Sequence, residues 1–333
     1  MRLTRRGFLI GGGAAVAVGA TGAAMAQRPQ AFDGATAIKV TAEPISRFSV
    51  SDPDRSRFGA LLFRSGLNLK SPVSAFGGFS GLWRSENGRD IVTLADNAQI
   101  LRARTEISDG QLSGLADTVM APLLLSGGKP VRRSRFYDTE SLTIVGRTAF
   151  VGVERNHAVI RFERSSTGGL VRGAPITAPE ELKELAGNAG LEAIGVAPKT
   201  SPLAGAVVSV GEHAQGFILT GPRKGRFDVV RSGGYNVTDL AFLDSGDLLV
   251  LERRFSLFGF GCRLRRIERA AIRPGARVDG ETLYESEPSH QIDNMEGLCV
   301  HREGGETILT LISDDNFSPL QKTLLLEFVL SEG

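Results

Sequence analysis

Cysteine is nearly absent from this chain, with Cys262 and Cys299 the two examples among 333 residues. Neither has a histidine or a second cysteine at metal-ligand spacing, which excludes a structural zinc module. The pair either closes one disulfide or stays as two buried thiols, since nothing in the sequence sets the distance between them. Long apolar runs are missing after the first 26 residues, so no later segment could span a bilayer. Excess charge is missing as well. The formal charge of +2 includes Arg2, Arg5 and Arg6, and without them it falls to about −1, which excludes the basic footprint of a nucleic-acid binder. Helix signals are confined to Pro179–Ala186, a Glu- and Leu-rich stretch ended by Gly187. Ser80 stands in Gly78-Phe79-Ser80-Gly81, which is not a G-x-S-x-G elbow, and no offset marks His157, His213, His290 or His301 as its base. Gly11-Gly12-Gly13 and Gly77-Gly78 lack the strand–helix context of a dinucleotide loop.

What the chain does have begins with an address. Arg5-Arg6 precedes a weakly apolar stretch from Phe8 to Ala24, and Ala24-Met25-Ala26 is a small-x-small site. This looks like a twin-arginine export signal cut after Ala26, so the twin-arginine export machinery is an expected partner and the periplasm the expected location. Residues 27–56 read as an extended lead-in and 57–331 as one large domain.

Within that domain one pattern recurs: a carboxylate, a small residue and an aliphatic residue open a strand, and another carboxylate closes the next. It reads Glu140-Ser141-Leu142 with Glu154, then Glu192-Ala193-Ile194 with Glu212. It continues as Asp239-Leu240-Ala241 with Glu252, and Glu296-Gly297-Leu298 with Asp314. A weaker copy, Ser80-Gly81-Leu82 with Asp96-Asn97, comes first. A period near 50 residues, with short β-branched runs between turn residues, is the signature of a propeller. The strand-like segments at 59–64 and 322–330 lie outside the five units. Paired in one sheet they would supply a closing unit without exposed edges. The expectation is therefore an all-β propeller of six blades, with five as the alternative.

The innermost strand of each blade lines the axis, so Glu140, Glu192, Asp239 and Glu296 are expected to converge there. Like charges held close raise pKa values or demand a cation, and hard oxygen donors in a wet channel suit calcium. The expected metal ligands are these four with Asp314. Arg155, Arg253 and Lys322 stand beside the recurring acids and are candidates for holding an anionic substrate. Surface ion pairs and blade-to-blade locks are the competing reading of the same residues.

Several segments resemble the phytase-like family described by esterase-like activity. They are Phe76-Gly77-Gly78-Phe79-Ser80-Gly81-Leu82, Asp138-Thr139-Glu140-Ser141-Leu142, the run from Asn188 to Ile194, the run from Thr238 to Leu243, Asn294-Met295-Glu296-Gly297-Leu298 and, most specific, the run from Leu311 to Thr323. The resemblance covers roughly residues 57–330. It implies kinship with β-propeller phytases, which use calcium in an acidic channel on phosphate esters. The Asn-Asn-Val-Asp-type signature of those phytases is not evident, and the resemblance supplies no catalytic residue to carry over. The leading expectation is a periplasmic metal-dependent esterase or phosphoesterase acting on a small-molecule ester or anionic substrate. Glu296 and Glu192 are its candidate catalytic carboxylates. The alternatives are a lactonase-like propeller and a non-catalytic, calcium-stabilised binding propeller.

Overall fold

Turn chemistry governs how this chain reverses. Gly304 and Gly305 both adopt positive φ, 58° and 89°, and join Glu303 to its partner Glu306 in a two-residue turn. Positive φ at both positions gives a turn whose twist matches that of the flanking strands. Such reversals, between strands with buried residues on both faces, build the molecule described by this computed structural model. It covers residues 31–331 except 178, 180, 181, 183–189 and 258. The expected export signal and most of the expected helix Pro179–Ala186 lie outside the described residues.

The strands form five sheets, the blades of a propeller. Blade 1 runs outward from Phe79–Arg84 through Asp90–Ala95 and Gln99–Ser108 to Gln111–Pro122, with the short strand Thr36–Ala37 outside it. Blade 2 comprises Thr139–Val145, Thr148–Val153, Ala158–Arg164 and Leu170–Pro175. Blade 3 comprises Ala193–Val196, Val207–Val210, Gln215–Ile218 and Gly225–Val229, extended by Arg277–Val278 in parallel. Blade 4 comprises Asn236–Phe242, Leu248–Ser256, Gly259–Ile267 and Glu281–Glu285. Blade 5 starts with Met295–Glu303, Glu306–Ser313 and Thr323–Leu330, then takes Leu61–Lys70 and Thr41–Ile45 from the other end of the chain.

The all-β propeller expected from the sequence is what the structure shows, with five blades, the alternative to six. The two terminal segments do pair, Thr323–Leu330 against Leu61–Lys70 in antiparallel register. They do not form a separate sheet, because the fifth repeat supplies two strands of its own and needs them to complete its blade.

Each innermost strand packs against those of the neighbouring blades, and the ring closes between Met295–Glu303 and Phe79–Arg84. Five apolar clusters fill the five seams, one between each adjacent pair of blades. Burial of each large side chain contributes about 1.5–3 kcal/mol, so the seams are the main cohesive element. The small residue of the repeat follows from this packing. A Cβ on Gly81 would meet Leu142 Cβ at 2.9 Å, and one on Gly297 would meet Ile312 Cγ2 at 2.6 Å. Cys262 and Cys299 are buried free thiols, not a bridge. Burial pushes them up to about 12 and about 11.

Candidate functional site

The pairing of each innermost strand begins with an irregularity. Ser80, Glu140, Thr238 and Glu296 are each skipped by the neighbouring strand. Glu192 holds the corresponding place directly before Ala193–Val196. A bulge leaves its extra residue unpaired and re-aims its side chain. Here it sets one residue from every blade at the same end of the axis, three carboxylates and two hydroxyls. Both hydroxyls act alike: Ser80 Oγ donates to the Thr139 carbonyl at 3.2 Å and Thr238 Oγ1 to the Met295 carbonyl at 3.0 Å, in each case the first residue of the next blade.

This register corrects two readings of the fourth repeat. Asp239 is not a ring residue, since it pairs with Leu251 and occupies the place held elsewhere by Gly81, Ser141, Ala193 and Gly297. Its Oδ2 accepts the Leu298 N–H of blade 5 at 2.7 Å and its Oδ1 the Leu240 N–H at 2.8 Å. Burial raises this carboxyl well above the usual range, against the pull of those two bonds. It is a seam contact rather than a metal ligand. Glu252 pairs with Val237, so Arg253, opposite Asn236, takes the place that Asp96, Glu154, Glu212 and Asp314 hold in the other blades. Glu252 is turned instead into a buried cluster with Arg263 Nε at 2.7 Å and Arg265 Nε at 2.9 Å.

Two further positions complete the site. Two residues before each ring residue stand Gly78, Asp138, Gly190, Asn236 and Asn294. Four of their carbonyls accept the N–H of the closing residue: Asp96, Glu154, Glu212 and Asp314. Asp138, Glu140 and Glu154 consequently bring carboxylate oxygens within 4.8 Å of one another, the one such group found among the described residues. Asp138 and Asn294 were missed in the sequence because this position alternates between glycine and Asx. The recurrence of Asx there in three of the five repeats is the signal that could have found them.

The opposite side of the ring is differently charged. Arg253 Nη1 donates to Glu296 Oε1 at 2.7 Å and to Asn294 Oδ1 at 2.5 Å, and Asn294 Nδ2 donates to the same Glu296 oxygen at 2.9 Å. Glu212 lies 3.7 Å from Arg253 Nη2 and accepts from Asn236 at 3.1 Å. Asp314, buried, accepts the Asn316 N–H at 2.6 Å. Burial first, then the charges of Asp96, Glu296 and Asp315, push its carboxyl well above the usual range. The closing turns are strained too. Ala98, His157, Ala214, Asn316 and Phe317 hold φ between 45° and 69°, one or two in each of blades 1, 2, 3 and 5. Non-glycine residues adopt that conformation at a cost and cluster at functional sites.

Of the expected site residues, the structure therefore brings together Glu140, Glu192, Glu296, Asp314 and Arg253. Arg155 stands at the rim, where its Nε meets Asp138 Oδ2 at 2.6 Å and its Nη1 the Tyr137 hydroxyl at 2.6 Å. Lys322 lies outward, its charge acting on Asp293 and Glu43 rather than on the ring. The polar cavity of about 740 Å³ between Asp247, Arg269 and Glu281 is elsewhere, on the opposite side of blade 4.

The model of the phytase-like family, "Esterase-like activity of phytase", matches residues 74–317. No curated protein matches the chain. Among solved structures it is similar to the major allergen Mala s 1 of Malassezia sympodialis, with 10% identity over 82% of this chain and 91% of that one and a TM-score of 0.41. It is also similar to a putative 6-phosphogluconolactonase of Bacteroides uniformis, with 12% identity over 87% and 83% of the two chains and a TM-score of 0.37. A putative 6-phosphogluconolactonase of Bacteroides fragilis shares 11% identity over 85% and 93%, with a TM-score of 0.39.

Proposed function

The chain belongs to the phytase-like family, and from that premise we propose that it is an exported, metal-dependent hydrolase of esters, working at the acidic end of the propeller axis. The observation that carries this reading is the Asp138, Glu140 and Glu154 group, whose oxygens lie within 4.8 Å of one another. Its donors are hard and carry no thiolate or imidazole, which fits calcium, a cation that takes six to eight oxygens and leaves places for water. Bound there, a divalent ion would polarise an ester oxygen and acidify water. The chain's own residues do the rest. Arg253 offers a planar guanidinium to an anionic substrate oxygen. Glu296, oriented by Arg253 and Asn294, is the proton acceptor, with Glu192 on the far side of Thr238 of blade 4 in the ring. The twin-arginine route delivers the folded protein to the periplasm.

Calcium should raise the unfolding temperature by several degrees, because a ligand at a hundred times its Kd stabilises the folded state by about 2.7 kcal/mol. Glu140→Gln should remove that response. Glu296→Gln should lower kcat on phosphate or carboxylic esters by roughly 100-fold or more with a smaller change in KM, the mark of a group acting in the transition state. Hydrolysis that survives a chelator and Glu296→Gln would defeat the assignment, and no turnover in calcium-loaded, folded protein would leave a binding propeller.

A further inference from the structure

Three of the five blades turn back within four residues of the ring, blade 5 does so through a longer loop, and blade 4 continues its paired strands outward. Asp96–Ala98, Glu154–His157 and Gly211–Ala214 are turns of three or four residues, and blade 5 has the longer loop from Asp314 to Lys322. In blade 4 the paired strands run on past Arg253 to Ser256 and Gly259, three residues or about 10 Å beyond the ring at ~3.3 Å per residue. The projecting end is apolar. Phe255 is 63% exposed and Leu257 101%, and the Phe255 ring lies 5.1 Å from that of its cross-strand partner Phe260.

Side chains alternate along a strand, so Arg253 and Phe255 leave the same face, the one from which Arg253 reaches Asn294 and Glu296 of blade 5. Arg254, on the other face, lies 4.8 Å over the Tyr235 ring. Across the seam, Leu320 of the blade 5 loop is 92% exposed. An apolar wall thus rises directly from the guanidinium that anchors the anion, on the one blade where that position is a cation. Sequence composition would lead a surface hairpin to be polar, and nothing in the described chain covers these side chains.

We propose that the blade 4 hairpin, through Phe255, Leu257 and Phe260, is the specificity element of the site and receives the apolar acyl or alkyl group of an ester whose anionic head sits at Arg253. This rests on the ester-hydrolase reading of the ring. An amphiphile matches both features at once: its charge complements Arg253 and its chain lies along the same strand face.

The test is binding rather than turnover, using methylphosphonate and octylphosphonate below its micellar concentration, measured by calorimetry on the calcium-equilibrated full chain. Wild type should bind octylphosphonate at least 10-fold more tightly than methylphosphonate. In F255S/L257S, whose altered side chains are exposed so that the fold is undisturbed, the gap should fall below twofold with methylphosphonate affinity unchanged. Equal affinity for the two probes in wild type, binding of neither, or a gap that persists in the variant overturns the proposal, as does hairpin-dependent binding to neutral phosphatidylcholine vesicles or self-association without a chain-length gap. A gap that collapses as expected while no ester is hydrolysed overturns the hydrolase reading alone.

Discussion

His301 shows how much a single side chain can be governed by its surroundings. It is 5% exposed, on the innermost strand of blade 5 against blade 1. Burial, then the positive charges of Arg84 and Arg64, lower its imidazole to about 4, with Glu303 pulling the other way. An unfolded chain binds that proton near 6.5. Above this value neither state is protonated and His301 adds no pH dependence. As pH falls from about 6.5 towards 4 the unfolded state takes up a proton that the folded state refuses, and stability is lost. At 1.36 kcal/mol for each pKa unit, the loss is on the order of 3 kcal/mol. His301→Gln should therefore flatten the decline in unfolding free energy between pH 6.5 and 4 relative to wild type, as followed by urea unfolding. An unchanged slope would mean that the imidazole finds a proton acceptor in the folded state. Nearby, Arg84 and Glu327 form a buried ion pair, with Ser65 donating to Glu327 Oε2 at 3.1 Å. This network lies in the seam completed by both ends of the chain.

At the scale of the strand, register decides which acids belong to the site. Asp239→Ala should cost about 1–3 kcal/mol, because it strips a buried Leu298 N–H of its acceptor. It should leave the calcium-induced rise in unfolding temperature intact. Loss of that rise, measured by thermal unfolding with and without calcium, would put Asp239 back among the ligands. The fold class and the recurring acids were legible in the sequence because short β-branched runs, glycine turns and a fixed period are local signals. The membership of the ring was legible for Ser80, Glu140, Glu192 and Glu296. It failed by one residue in the fourth repeat, where Thr238-Asp239 offers an acid directly after the true bulge position, and a one-residue slip carries a side chain to the opposite face. Glu252-Arg253 repeats the error one strand later. The Asp138, Glu140 and Glu154 group was half visible, since pattern matching finds equivalent acids along the chain while a ligand set also draws on what the bulge brings beside them. Five blades stood only as the alternative to six, because both terminal segments read as strands without showing that the fifth repeat lacked two.

For the molecule as a whole, closure is the vulnerable step. In blades 1 to 4 the four main strands follow one another along the chain, the edge additions Thr36–Ala37 and Arg277–Val278 aside, whereas blade 5 holds together only because Thr323–Leu330 lies between Glu306–Ser313 and Leu61–Lys70. That strand also feeds two seams: Leu324, Leu326, Phe328 and Leu330 pack in the core shared with blade 4, and Leu325 in the core shared with blade 1. Losing a buried leucine or phenylalanine costs about 2–5 kcal/mol, and these five side chains together match or exceed the roughly 5–15 kcal/mol by which a domain is ordinarily stable. Truncation at Lys322 should therefore abolish cooperative unfolding of the entire propeller, with the freed edges of Leu61–Lys70 and Glu306–Ser313 promoting aggregation. A nick in the exposed turn at Gly127-Gly128, where no atom lies within 4 Å of an added Cβ, should by contrast leave a folded, calcium-responsive particle. Circular dichroism melts and size-exclusion profiles of the two species distinguish them. A truncated chain that still melted cooperatively would show that the remaining four blades close on themselves without the terminal strand.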